Sequence, residues 1–344
     1  MRGLSLILKP LSWVYGLILR IRHFLYDRGF FMAKTYDIPI IKIGNLALGG
    51  TGKTPFTIFL ANLLSENYDV NVISRGYSRK TKGLHYVNKG DTAEKVGDEP
   101  LLMRQKLKSG TVIVSESRTR AINFILSKNT ERPLFILDDA IQHRQLGSGF
   151  QILLTKVDNL FYQDFLLPVG NLRDLTTRAR YADVIVVTHT TELTNREEIV
   201  SNIHKYSKAL VVFSAINYQM YQNYFSGDII KEDTNKNAVI VSALASNHSF
   251  KSEVAKSYSI VTEYNYRDHY SYKSEDVKNW IKKAIETKAK IITTEKDAVK
   301  LNKYRKFFEE NEVDLLVLPI EIYLIDESKN LFIESLNKHL DSYK

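Results

Sequence analysis

The chain has 344 residues, 44% hydrophobic and 25% charged, enough to bury a core and, by length, to make about two domains. It has no cysteine, so disulfides, thiolate metal sites and cysteine nucleophiles are excluded, which suits a reducing compartment. A net charge of +9 points to an anionic partner. The lysines are scattered and there is no RNP, zinc-finger or Arg-rich tract, which argues against nucleic acid and leaves a phospholipid surface or a phosphorylated substrate.

The first segment, "LSLILKPLSWVYGLILRIRHFLYDRGFF", is apolar and aromatic, but its longest uncharged run is 10–19. A spanning helix needs about 20 apolar residues. Lys9 and Pro10 interrupt the apolar core and no small-residue cleavage site follows, so it is not a signal peptide. Wound as a helix, it sets Leu11, Val14, Ile18, Ile21 and Leu25 on one stripe, widened by Trp13, Leu17 and Phe24. Ser12, Gly16, Arg20, His23 and Asp27 form a narrow polar strip opposite. Residues 1–30 therefore fit an amphipathic helix lying in a membrane interface, with Arg2, Lys9, Arg20, Arg22 and Arg28 at its flanks. A helix packed by its apolar stripe on its own domain satisfies the same pattern.

Short β-branched runs then alternate with helical stretches: "IPIIKI" (38–43), "DVNVIS" (69–74), "TVIVS" (111–115), "PLFIL" (133–137), "QILLT" (151–155) and "DVIVVT" (183–188). This is the βαβ rhythm of a mostly parallel, doubly wound sheet. A second set follows at 209–215, 237–244, 259–264, 290–294 and 314–322, after a polar stretch containing Gly227 and "KEDTNKN". The expected organisation is a P-loop domain at 31–217, a linker or β-ribbon hinge at 218–237 and a smaller α/β domain at 238–344.

Between the first strand and the first helix stands "NLALGGTGKT". Gly49, Gly50, Thr51 and Gly52 would bring backbone N–H groups onto phosphate oxygens without side-chain clashes. Lys53 would reach the β/γ-phosphates and the Thr54 hydroxyl would bind Mg²⁺. The strict pattern asks for glycine at 47, where this chain has Ala47. The apolar run "PLFIL" ends in Asp138 and Asp139, a Walker-B arrangement at the carboxyl edge of the sheet. Adjacent aspartates leave a strand in different directions, so one of them is expected to contact the metal. "TKVD" (155–158) also fits a guanine-recognition motif, but Asp139 is followed by Ala140, Ile141 and Gln142 rather than the DxxG of a GTPase switch.

Further clusters lie at "SRGYSRK", "VGDEPLLM" with Asp98, "SESRTRA" with Arg118, "NYRDHYSY" with Asp268 and His269, and "TTEKDAVKL" with Lys296 and Asp297. In order, "GNLALGGTGKTP", "VISRGYSRK", "VGDEPLLM", "SESRTRA", "LDDAIQHRQL", "LLPVGNLRDL", "RDHYSY" and "TTEKDAVKL" resemble the tetraacyldisaccharide 4'-kinase family, the lipid A 4'-kinases of Gram-negative bacteria. The resemblance implies a peripheral enzyme on the cytoplasmic face of the inner membrane, using ATP and Mg²⁺ to phosphorylate the 4'-hydroxyl of a tetraacylated glucosamine disaccharide 1-phosphate and so form lipid IVA. It further implies Asp98 as acceptor base assisted by His269, Asp138 and Asp139 as the metal pair, Arg118 near the phosphates, and Gln142 and His143 beside the Walker-B end. On that reading Asp98 belongs to the P-loop domain and His269 to the second, the site lies in the cleft between them, and the hinge brings the two residues together. The chain departs from the family at Ala140, where glycine is common, at Asp174, where glutamate is common, and at Asn247-His248. The rival reading is a P-loop ATPase or GTPase switch at the membrane surface. No pattern specifies an oligomeric state or the acyl chains accepted.

Overall fold

A computed structural model describes residues 2–128, 131–147, 149–231, 235–325 and 328–343. The chain forms two compact units: Met1–Arg75, Leu107–Ala215 and Ile322–Lys344 make the first, and Gly76–Lys106 with Ile216–Glu321 the second.

Unit 1 is built on a parallel sheet. Its strands β1 (Ile40–Asn45), β2 (Asp69–Ser74), β3 (Thr111–Val114), β4 (Pro133–Leu137), β5 (Phe150–Lys156), β6 (Val184–Thr188) and β7 (Leu210–Tyr218) lie in the order β7-β6-β5-β1-β4-β2-β3. Ile40, Ile41 and Ile43 are fully buried, as expected for a central strand covered on both faces. The strand order reverses at β1, so its carboxyl end is the topological switch point where ligands bind in open α/β sheets. Register places the "GN" end of β1 and the paired aspartates side by side, since Lys42 lies opposite Leu137 and Ala140 N donates to Ile43 O at 2.9 Å.

After β1 the chain turns through Gly49 and Gly52 into helix α2 (Lys53–Leu64). Gly52 has φ 81°, a left-handed conformation that side chains other than glycine rarely adopt, and it caps the helix. Ala47 has no such conformation, and its methyl joins a core cluster with Leu46, Ile141 and Leu172, which explains why glycine is dispensable there. Ala140 is likewise tolerated because the positive φ of this turn, 48°, falls on Asp139.

Helix α1 (Arg2–Asp27) is amphipathic, as expected, but it meets unit 1 through the face that carries Ser12, Gly16, Leu19 and His23. Ser12 and His23 are buried, Ser12 Oγ donates to Leu166 O at 2.9 Å, and a Cβ on Gly16 would approach Leu166 Cδ1 to 3.0 Å. The apolar stripe faces outward: Trp13 is 74% exposed and Leu17 55%, alongside Leu11, Val14, Ile18, Ile21 and Phe24. Packing of the stripe on its own domain is thereby excluded. No described helix is long and apolar enough to cross a membrane.

Unit 2 carries β8 (Asn237–Ser242), β9 (Ser259–Asn265), β10 (Lys290–Thr294) and β11 (Leu315–Leu318), parallel in the order β9-β8-β10-β11. The short strand Gln222–Asn223 pairs antiparallel with β11, so part of the segment expected as a linker belongs to this sheet. Residues 232–234 of that segment lie outside the described residues. A helix at Ser274–Glu286 buries Val277, Trp280, Ile281 and Ala284, one face of an amphipathic repeat.

Segment 76–106, expected with the P-loop domain, clusters with unit 2. Its charges are answered there: Lys106 Nζ lies 2.7 Å from Glu295, Glu99 lies 3.0 Å from Lys296, and Glu94 pairs with Lys303. Such pairings across some two hundred residues of sequence leave no periodic trace.

Candidate active site

In unit 1 the side chains of β1, α2 and the turn after β4 converge on one cluster. Lys53 Nζ donates to Asn45 Oδ1 at 3.1 Å and stands 3.7 Å from Asp139 Oδ1. Arg173, in the loop following β5, donates from Nη1 to Asp139 Oδ2 at 2.9 Å and from Nη2 to Asn45 Oδ1 at 2.5 Å, and Nη2 also meets Asp139 Oδ1. Burial alone would push the Asp139 carboxyl up, but the Arg173 hydrogen bonds and the Lys53 charge prevail and hold it at about 2.

Asp138 is buried and accepts from Ser74 Oγ at 2.9 Å. Arg118 opens helix α4 (Arg118–Leu126), is buried, and donates from Nη2 to Asp138 O at 3.1 Å. Its Nε and Nη1, together with Thr51 Oγ1, are buried without a hydrogen-bond partner among the described residues. Buried guanidinium donors left unpaired are costly, so this corner is shaped for an oxyanion. Gln142 Nε2 donates to Asn45 O at 2.7 Å, and burial with the nearby Arg118 charge holds His143 down at about 4, hence neutral. Thr54 is buried in the first turn of α2. With a carboxylate of the aspartate pair, its hydroxyl makes a hard-oxygen donor set of the kind Mg²⁺ takes.

In unit 2, Asp98 opens helix α3 (Asp98–Lys106). Gly97 has φ 94°, and a Cβ there would meet Tyr77 O at 3.2 Å, so glycine lets the helix start against this loop. Asp98 is 6% exposed, and its Oδ1 accepts from Glu99 N at 2.9 Å. His269 Nδ1 lies 3.0 Å from Asp98 Oδ2 and 3.2 Å from Oδ1. The imidazole pKa is raised, first by this hydrogen bond. Burial works to raise the Asp98 carboxyl, but the His269 hydrogen bond and the Lys296 and Lys300 charges lower it below the usual carboxylate value. Tyr77 covers the imidazole, with ring centroids 5.0 Å apart.

The structure thus brings Lys53, Asp138, Asp139 and Arg118 into one cluster, and Asp98 and His269 into another. The expectation that a hinge joins Asp98 to His269 across domains is corrected: both belong to unit 2 and are already in contact. Sequence reasoning passed over Asn45 and Arg173. Both stand inside segments quoted for the resemblance, and a basic residue beside Asp174 was the available signal for Arg173. The TKxD residues pair with each other, Lys156 Nζ lying 3.0 Å from Asp158 Oδ2, with Asp158 largely in solvent.

A family model described as tetraacyldisaccharide-1-P 4'-kinase matches residues 4–341. The tetraacyldisaccharide 4'-kinase of Flavobacterium johnsoniae is 35% identical over 98% of this chain and 97% of its own length. That of Parabacteroides distasonis is 34% identical over 98% and 95%, and that of Bacteroides thetaiotaomicron 33% over 98% and 92%. Among solved structures, LpxK from Aquifex aeolicus in complex with ATP superposes with a TM-score of 0.76 at 29% identity, covering 98% of this chain and 99% of that one.

Proposed function

The chain belongs to the tetraacyldisaccharide-1-P 4'-kinase family, and from that premise we propose how its residues carry out the transfer. It is a kinase that moves the γ-phosphoryl group of ATP onto the 4'-hydroxyl of a tetraacylated disaccharide 1-phosphate, a step of lipid A synthesis. The observation that carries the mechanism is the Asp98–His269 contact. A kinase needs a group that accepts the proton of the attacking hydroxyl, and a buried carboxylate–imidazole pair supplies one.

Asp98 accepts the proton of the attacking hydroxyl and is neutralised by it, with His269 holding the carboxylate in place. Positioned acid–base catalysis of this kind is typically worth about 10²–10⁴-fold. In unit 1 the backbone N–H groups of Gly49–Gly52 and the Lys53 ammonium bind the β/γ-phosphates, and Arg118 turns its unpaired donors to an oxygen of the transferring group. Thr54 and the aspartate pair, Asp138 with Asp139, would hold Mg²⁺. Bound there, the ion would supply positive charge against the phosphates.

The outward apolar stripe of α1, flanked by Lys9, Arg20, Arg22 and Arg28, supports docking on an anionic membrane surface, where an amphiphilic acceptor resides. This fits a peripheral position on the cytoplasmic face of the inner membrane, where ATP is found. Phosphorus NMR of the lipid after incubation with ATP, Mg²⁺ and a tetraacyl disaccharide 1-phosphate in micelles tests the reaction. A second phosphomonoester on the disaccharide is expected. Free phosphate with an unchanged lipid would overturn it.

A further inference from the structure

The motif "TTEKDAVKL" has no part in the chemistry described so far, yet it supplies two ammonium groups beside Asp98. We propose that Lys296 is a positioning residue for the Asp98–His269 pair, pinning the chain on both sides of the contact. The inference rests on the kinase reading for its catalytic consequence, while its geometry stands independently.

Lys296 Nζ lies 3.0 Å from Glu99 Oε1 and 3.1 Å from Asp268 Oδ1. Glu99 follows Asp98 and Asp268 precedes His269. One ammonium therefore spans the two neighbours of the pair. Asp268 Oδ1 also accepts from His269 N at 3.0 Å, so the same carboxylate tethers a histidine whose φ is 59°. A non-glycine residue in that region stays there only when its surroundings hold it. The neighbouring residues Glu295 and Lys303 add the pairs to Lys106 and Glu94, so this stretch fastens the whole 76–106 excursion.

The charges facing Asp98 are few and can be named. His269, Lys296 and Lys300 favour its ionised form. Lys300 sits 4.0 Å from Asp98 Oδ2 but only 2.7 Å from Asp297 Oδ1, so much of its charge is answered by the fully buried Asp297. The Tyr272 phenol beside Asp297 stays protonated, its pKa raised by burial and by that carboxylate. Glu99 and Asp268 oppose ionisation of Asp98, and Lys296 neutralises both. Burial disfavours charge on Lys296, but Glu99, Asp98 and Asp268 outweigh it and raise the ammonium pKa.

The test compares Lys296→Met and Lys296→Arg with the unaltered protein. Carbon-13 NMR follows the Asp98 carboxyl titration, assigned by its disappearance in Asp98→Asn; thermal melting verifies folding. In Lys296→Met the Asp98 midpoint is expected to rise by about one pH unit. The acid limb of kcat moves to higher pH with it; at neutral pH, where Asp98 is ionised in both proteins, kcat falls about tenfold or more because the pair is no longer held in place, and KM for ATP is unchanged. Lys296→Arg restores most of both readouts, and Lys296→Met costs nothing further in an Asp98→Asn background. An unmoved Asp98 titration, or an equal loss in the Asp98→Asn background, would overturn the proposal. The NMR readout needs no acceptor, so absence of a lipid product from the unaltered protein would refute the kinase reading alone.

Discussion

Arg173 forks onto Asp139, placing one guanidinium across both carboxylate oxygens and onto the Asn45 amide at the root of the phosphate loop. Bidentate pairs of this kind fix geometry as well as charge. The Asp139 carboxyl is held at about 2, so the pair stabilises the fold in full above the ordinary carboxylate range and loses that contribution progressively as pH falls from there through about 2. Arg173→Met removes the chief cause of the depression. The acid-unfolding midpoint followed by circular dichroism is expected to move to higher pH, and ATP affinity to weaken as the Asn45–Lys53 arrangement loosens. An acid transition identical to that of the unaltered protein would contradict this role.

His23 Nε2 lies 2.7 Å from Asp174 Oδ1, and the carboxylate has no exposure to solvent. The pair joins α1 to the residue that follows Arg173, and Tyr15 OH donates to Arg173 O at 2.8 Å in the same contact. Removing one partner of a buried pair typically costs about 3–5 kcal/mol, because the other is left uncompensated. His23→Ala should therefore lower the melting temperature strongly. Asp174→Glu, the residue common in the family, is expected to destabilise by about 1–3 kcal/mol here, since a further methylene has no room. A melting temperature unchanged in both variants would contradict the packing described.

Leu17 and Ile21 lie on the outward stripe of α1, away from the face that meets unit 1. Replacing either with lysine leaves the fold intact and should weaken sedimentation with anionic vesicles by on the order of tenfold per residue, given the apolar surface removed from the interface. Equal vesicle binding by the double variant would show that this stripe does not dock on lipid.

The parallel sheet of unit 1 was legible because fully buried strands such as β1 read as continuous apolar runs bounded by turns. The phosphate loop was legible because Gly49, Gly52, Lys53 and Thr54 are confined to one turn of chain. Local rules reached no further. That Asp98 joins unit 2 depends on Glu94, Glu99 and Lys106 finding partners at Lys303, Lys296 and Glu295. The outward stripe of α1 had two readings because hydrophobic periodicity reports that a helix has two faces, and contacts such as those of His23, Ser12 and Tyr15 reveal which one meets the protein. Arg173 escaped notice because its position beside Asp174 does not say which group it pairs with until Asp139 is placed beside it.

The account turns on Asp98 acting in transfer and not in nucleotide binding. The most direct measurement is single-turnover transfer of labelled γ-phosphate from ATP to the disaccharide 1-phosphate in micelles by Asp98→Asn, with ATP affinity measured on the same preparation. The account predicts ATP affinity within about twofold of the unaltered protein and transfer slowed by about 10²-fold or more. Transfer at the unaltered rate, or a loss explained by weakened ATP binding, would contradict it.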